Sequence, residues 1–391
     1  MVNFLKRFNM MKGLVVVFAG ILLGTFASVP SVAGEEDMPW SPVQVKSYYG
    51  TYDPSLKESG RASPSLDRPK LEKWFPPAKA DAPYVIGVCF PHFKDYYWTA
   101  VSYGILEEAK KFGVSIRLVE AGGYGELKRQ HLQFLRFIKE HVDGIILGAV
   151  SYAGNEQCIA MAREAGMPVV AVGNDVYSSK ISAKALVSFY EMGHFAGEYV
   201  AEHAEKAGLD TVSVAFFPGP KDSGWAPETL MGFKDALDYY PGRVDVLDVR
   251  WGDTTPIEQR RLIEDSLKTV GPANYLVGNA VAAEVAPEVL QQAVEGSATT
   301  VIGTYLTQNL YDQILYGKAA GAPSDLMAFQ GRMAVDMMIR LLNGEKAGVD
   351  FPFRSGPFIP MVTMDNIESS HFEGLFGPRD YTPDFSSVKA W

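Results

Sequence analysis

Four consecutive residues, Asp95-Tyr96-Tyr97-Trp98, carry the most informative chemistry in this chain. They follow a short apolar stretch, Tyr84–Phe90, and open an amphipathic helical pattern around Val101–Phe112. Three rings are costly to leave in water, and the carboxyl end of a strand is where open α/β sheets bind their ligands. Such a stack implies recognition by π-faces rather than by a fork of hydrogen bonds. Tyr97 and Trp98 are the expected contacts, Asp95 a further candidate, and Tyr96 the ring expected to serve packing.

Other chemistries lack their residues. Gly122-Gly123-Tyr124-Gly125 follows a strand pattern and precedes a helical one, as a phosphate cradle would. It has neither the three-glycine spacing of a dinucleotide fingerprint nor the lysine of a P-loop. The six histidines are dispersed with no pair four apart, so no metal signature arises. No Gly-x-Ser-x-Gly elbow occurs. The expectation is a binding protein without catalytic residues, cofactor or metal.

The elements that must position these rings alternate. From Tyr84 onward, short apolar strands interleave with amphipathic helices, the signature of a parallel sheet. One series runs from Tyr84–Phe90 to Pro168–Gly173. A second runs from Thr211–Phe217 to the helix Gln308–Gly317. Two consecutive series predict an α/β fold of two doubly wound parallel-sheet lobes, a size that 391 residues readily supply. Late elements (Leu326–Phe329, Gly331–Asn343, Phe358–Met364) are expected to return to earlier lobes. Residues 34–81, rich in Pro and Ser, read as an extended segment packed on the main body, and 367–391 as a surface tail.

The formal charge of −10, with no Lys/Arg run longer than two, argues against nucleic acid, because phosphate neutralisation needs clustered cations. Lys6, Arg7 and Lys12 precede an apolar stretch, Gly13–Ala27, and Ser31-Val32-Ala33 offers small residues for cleavage. Residues 1–33 are therefore expected to be a secretory signal peptide, leaving 33 basic against 46 acidic residues in a soluble exported protein with no stable membrane insertion. Cys89 and Cys158 would sit in an oxidising compartment, paired or as buried apolar residues.

Over roughly residues 84–366 the chain resembles the type I periplasmic binding proteins. The resemblance is carried by Ser188-Phe189-Tyr190-Glu191-Met192-Gly193-His194-Phe195-Ala196-Gly197, by Gly232-Phe233, and by Asn279 opening the helix after Tyr275–Gly278. It implies a multi-strand hinge with crossovers near residues 188–190, 327–330 and 351–357, closing on ligand. The first lobe would comprise 82–188 plus 331–352, and the second 189–330 plus 353–366. Sugar-binding members usually carry Arg where Thr229 stands, Asp where Ala280 stands, and Asp at Phe189 or Tyr190. Without those donors and acceptors a polyol would be held poorly.

A closer similarity, to the branch of this family serving trimethylamine-N-oxide respiration, is carried by Pro91, Lys94-Asp95, Tyr97-Trp98 and Glu120-Ala121-Gly122-Gly123-Tyr124. Phe217-Pro218-Gly219-Pro220, Ala282-Ala283-Glu284 and Tyr305-Leu306 extend it. It implies an inter-lobe aromatic cage of Tyr97, Trp98, Tyr124, Phe189 and Tyr305, with Asp95 nearby. The ligand would be trimethylamine N-oxide or a similar small methylated amine, and the partner the periplasmic domain of a sensor histidine kinase. Aromatic faces attract its methyl-wrapped cationic nitrogen, and its oxygen needs a donor. That branch tends to carry Trp where Phe189 stands, so the donor must come from elsewhere: Tyr190, Trp225 or Tyr152. Gln330, near a crossover, is expected to be a hinge or polar contact. The alternative function is an ABC-importer substrate-binding protein for a small quaternary amine or a sugar.

Overall fold

The computed structural model describes residues 43–57, 61–294 and 296–383. The expected signal segment and the start of the extension lie outside the described residues, as does the chain after 383.

Two strands come from the extension, β1 (Gln44–Tyr48) and β2 (Lys70–Lys73). Then follow β3 (Val85–Phe90), α1 (Tyr96–Phe112), β4 (Ser115–Glu120), α2 (Leu127–Lys139) and β5 (Gly144–Leu147). The first series closes with α3 (Glu156–Glu164), β6 (Val169–Val172) and β7 (Ala183–Ala185). The second opens with α4 (Phe189–Lys206), β8 (Thr211–Phe217), α5 (Trp225–Leu237), β9 (Arg243–Val249) and α6 (Pro256–Val270). It continues with β10 (Tyr275–Gly278), α7 (Ala280–Ala293), β11 (Thr300–Gly303), α8 (Gln308–Leu315) and β12 (Gly321–Pro323). The chain returns through α9 (Met327–Leu342), β13 (Arg354–Pro357), β14 (Met361–Thr363) and α10 (Phe372–Phe376).

These strands form an eight-stranded sheet, β2-β1-β13-β7-β6-β5-β3-β4, and a six-stranded sheet, β14-β12-β11-β10-β8-β9. Strands β3 to β7 pair in parallel, as do β8 to β12. Central strands such as β6 (VVAV) are buried along their whole length, because helices cover both faces of such a sheet. The expected two doubly wound lobes are present.

Three late assignments differ from the sequence expectation. Arg354–Pro357 belongs to the first sheet, not the second lobe: Arg354 and Ser355 pair with Lys184 and Ala185 on one side, and β1 pairs on the other. The third crossover therefore falls between β13 and β14 rather than at 351–357, and the second lies just before α9 rather than inside it. The extension does more than pack. Its two strands enlarge the first sheet, and Trp74 Nε1 donates to Asp336 of α9 at 2.7 Å. Residues 367–383 are not a loose tail either. Phe376 is fully buried, Tyr381 meets Tyr103 of α1, and Arg379 forks onto Asp312 of α8 with two 2.8 Å bonds. Cys89 and Cys158 are both buried and free, so they act as small apolar residues.

Candidate functional site

The rings singled out in the sequence arrive from both lobes at the mouths of helices. Asp95 caps α1, accepting from the Tyr97 backbone N–H at 3.0 Å, which sets Tyr97 and Trp98 on the first turn. Ser188 caps α4 in the same way, so Phe189 is its first residue. Trp225 is the first residue of α5, Tyr124 lies in the loop before α2, and Tyr305 in the loop before α8. All stand beyond the carboxyl ends of parallel strands.

Tyr97, Trp98, Tyr124, Phe189 and Tyr305 share one small cavity with Asp95, Asn174, Trp225 and Thr254. The rings nearly close it: about 10 Å³ remains between them, about the room of a single water molecule. Tyr97 and Tyr305 meet edge-on at 5.6 Å, Trp225 and Tyr305 at 5.8 Å, and Phe189 tilts onto Trp225 at 5.6 Å. Tyr97 and Trp98 hold a T-shaped contact at 5.1 Å. Burial pushes the phenols of Tyr97, Tyr124 and Tyr305 above their usual range, so all three stay neutral.

The polar atoms are few. Asn174 Nδ2 donates to the Tyr124 hydroxyl at 3.2 Å and to Ala149 O at 2.8 Å. Asp95 Oδ2 accepts from Thr254 Oγ1 at 3.0 Å, a bond that crosses between the lobes. Beside it, Lys94 and Asp253 form a second inter-lobe pair at 2.9 Å. The indole Nε1 of Trp225 is buried and makes no hydrogen bond of normal geometry, although it faces the Tyr124 hydroxyl. Of the buried side-chain atoms left without a normal hydrogen bond among the described residues, this donor lies in the wall of the cavity, where an acceptor could meet it.

Two expected residues lie elsewhere. Tyr190 points out of the cavity: its hydroxyl donates to Asp235 at 2.8 Å and its ring lies under Arg61. One helical residue separates it from Phe189, which turns the side chain by about 100° to another face. Gln330 is fully buried in α9 and binds Asp325 through Nε2 rather than lining the cavity. Tyr96, expected to pack, is exposed. Tyr152 meets Tyr177 edge-on and packs beside Gly224 outside the cavity, so Trp225 is the one of the three alternatives that lines it.

Asn174, Thr254 and Asp325 have no motif to announce them. Their only signal in the sequence is position: Asn174 stands just past β6, Thr254 in the loop after β9, and Asp325 just past β12. Thr229 and Ala280, the positions where sugar binders carry charge, contribute no polar group to the cavity; Thr229 Oγ1 is spent on its own helix, donating to Trp225 O at 2.9 Å.

Glu284 of α7 makes a pH-dependent contribution to stability behind the cage. Burial lifts its carboxyl to about 7, against the opposing effect of Thr307 and Asn309, which donate to it. The unfolded chain therefore loses this proton at a lower pH than the native one. Native stability falls as pH rises from about 4.5 to about 7 and is level above that. Glu284→Gln is expected to raise the unfolding free energy by on the order of 1–2 kcal/mol at pH 8. It should do little at pH 4, which thermal melts at the two pH values would show.

The model of the family described as "Periplasmic binding protein domain" matches residues 86–346. The chain belongs to this family. Its members form a solute-binding, non-catalytic class, and this periplasmic binding protein resides in the periplasm. Periplasmic protein TorT of Escherichia coli (strain K12) is 28% identical over 307 residues, which cover 78% of this chain and 86% of TorT. The crystal structure of a TorS sensor domain–TorT complex in the presence of TMAO covers 78% of this chain and 100% of that one, at 30% identity and a TM-score of 0.68. An ABC transporter solute-binding protein from Bradyrhizobium sp. BTAi1, with bound bis-tris, covers 90% of this chain and 100% of its own, at 34% identity and a TM-score of 0.74.

Proposed function

We propose that this protein is the solute-binding sensor of an N-oxide respiratory system: it takes trimethylamine N-oxide between its lobes and signals to the periplasmic domain of a membrane sensor histidine kinase. One observation carries the reading, the unpaired indole N–H of Trp225 in the wall of a cavity otherwise made of aromatic faces. Ring faces attract a methylated cationic nitrogen by roughly 0.5–2 kcal/mol each. A buried donor then selects the one such ligand that carries a strong acceptor on the nitrogen itself. Lobe closure over that ligand would bias the kinase by favouring one of its two states. The likeness to TorT, found in complex with the TorS sensor domain, supports the partner.

The second reading is uptake, as the receptor of an ABC importer for a small quaternary amine or a sugar, and the Bradyrhizobium relative favours it. The residues at 229 and 280, Thr and Ala, supply neither the charged donor nor the charged acceptor that a polyol would use, and weigh against sugar.

Calorimetry of the purified protein with trimethylamine N-oxide, tetramethylammonium and ribose tests the assignment. Binding of the N-oxide in the micromolar to millimolar range is expected, with no heat from ribose. Trp225→Phe keeps a ring and removes the donor. It should weaken N-oxide binding about tenfold while leaving tetramethylammonium nearly unchanged. Heat with ribose and none with the N-oxide would overturn the proposal. A stable complex with the kinase's periplasmic domain supports sensing over uptake.

A further inference from the structure

Behind the cage, away from solvent, sits a carboxylate with no cation to balance it. Asp325 is fully buried in the crossover between β12 and α9, beside Leu326, which adopts a left-handed backbone at φ 48°. Its Oδ2 accepts from the Tyr97 hydroxyl at 2.7 Å and from Gln330 Nε2 at 2.8 Å. Its Oδ1 is buried and has no partner. Among the described residues no lysine, arginine or histidine is bonded to it, whereas the partly buried Asp175 of the first lobe holds both Lys184 and Arg354. An uncompensated buried charge is expensive, so a cation arriving from outside would stabilise it.

We infer that Asp325 is the counter-ion of the ligand site, acting on a bound cation through the phenol of Tyr97. This rests on the reading of the cavity as a cage for a methylated nitrogen. A phenol that donates to a carboxylate becomes richer in electrons, and so does the ring face it shows the ligand. The need is real, because α1, α4 and α5 all begin at the cavity and present the positive ends of their dipoles to it. The carboxylate of Asp95 is engaged as the cap of α1 and by Thr254. A carboxylate beside α9's own first turn also meets a helix dipole. That account does not explain why Oδ2 turns onto Tyr97 while Oδ1 is left bare.

The consequence for specificity is directional. Tetramethylammonium carries a full positive charge and no acceptor, whereas trimethylamine N-oxide carries its own negative oxygen. Losing the counter-ion should hurt the first more than the second, the reverse of losing the Trp225 donor.

A pH profile follows. The groups facing Asp325 are Tyr97 from α1, Gln330 from α9, and Tyr305 from the loop before α8, with Tyr124 and Tyr152 beyond Tyr97. The phenols are neutral throughout. Asp95 and Glu284 face Tyr305, and His92 behind Tyr124 is held below its usual value by burial. Farther along α9, Arg332 is paired with Glu108, and Asp336 is held well above the usual carboxylate range by burial. Burial lifts Asp325 to about 6 against the hydrogen bonds from Tyr97 and Gln330 and the pull of its own backbone N–H. Cation binding therefore has to expel a proton below that pH, and affinity should fall by up to about tenfold per unit. Glu284 titrates close by, so the profile is measured in the Glu284→Gln background as well as in the natural chain.

The test measures both probes by calorimetry from pH 5 to 8 on wild type, Asp325→Asn and Gln330→Met. Asp325→Asn is expected to weaken tetramethylammonium about ten- to thirty-fold at pH 8, from a charge acting across one ring at intermediate dielectric. It should weaken the N-oxide only a few-fold and abolish the inflection near pH 6, with Glu284→Gln retaining that inflection. Gln330→Met removes a donor to the carboxylate and should move the inflection upward, a readout that survives if Asp325→Asn fails to fold. Equal losses of both probes, or an inflection unmoved by either variant, would leave Asp325 as packing and overturn the inference. A wild-type protein that binds neither probe at pH 8 would overturn the cage itself, and the counter-ion with it.

Discussion

Trp98→Ala is expected to abolish measurable binding of trimethylamine N-oxide and to lower the unfolding free energy by about 3–5 kcal/mol. The ring is 1% exposed and packs on Phe90 at 4.8 Å and on Tyr97. It fills a slot cleared by two glycines: a Cβ at Gly148 would stand 2.4 Å from its ring and one at Gly173 3.2 Å away. Removing it leaves a cavity that the backbone on both sides cannot close. It also releases Tyr97, so the cage loses one face and the alignment of a second. At roughly 2 kcal/mol for a desolvated ring, affinity drops about 30-fold before that misalignment is counted. Trp98→Phe should retain weak binding. Urea denaturation and calorimetry on the same preparations separate the two effects. A folded Trp98→Ala protein that binds as wild type would remove this ring from the site.

Gly193→Val is expected to destabilise the second lobe severely, at roughly 3 kcal/mol or more. Helices α4 and α5 cross with their backbones in contact. A Cβ at Gly193 would lie 1.9 Å from Thr229 O, and one at Gly232 1.9 Å from Tyr190 O. No rotamer relieves a clash with a carbonyl oxygen, so the helices must separate. Phe189 and Trp225 sit on the first turns of these two helices, and separation would pull the cage apart as well. Chemical denaturation should show a lower midpoint, with ligand affinity falling in parallel. Gly125→Ala is the control: nothing lies within 4 Å of its Cβ position, and a change within about 0.5 kcal/mol is expected. A Gly193→Val protein as stable as wild type would show that the crossing tolerates a wider gap.

These glycines show which parts of the fold were legible in the sequence. The pattern Gly193…Gly197 with Gly232-Phe233 could be recognised because close backbone contact admits only glycine, and that demand leaves a fixed spacing. Likewise Tyr97, Trp98 and Tyr124 stood out because rings at strand ends have few cheap structural uses. The late crossovers were harder. Whether Arg354–Pro357 joins the first or second sheet depends on pairing with Lys184 and Ala185, some 170 residues away, and nothing local encodes it. Tyr190 and Gln330 were misplaced for a similar reason. A helix start can be read to within a residue or so, and one residue turns a side chain to another face. Asn174 and Asp325 are common residues in loops, and only the folded geometry distinguishes them from their neighbours.

Both ends of the described chain lie across the boundary between the lobes. At one end, Lys46 reaches Glu191, and Arg61 donates to Tyr190 at 3.1 Å. At the other, Arg379 grips Asp312 while Tyr381 rests on α1. Any parting of the lobes is expected to strain these half-exposed pairs together with Lys94–Asp253 beside the cavity. Surface pairs weaken as ions accumulate around them. The salinity of the surroundings is therefore expected to shift the balance between closed and parted lobes without altering the rings of the cavity.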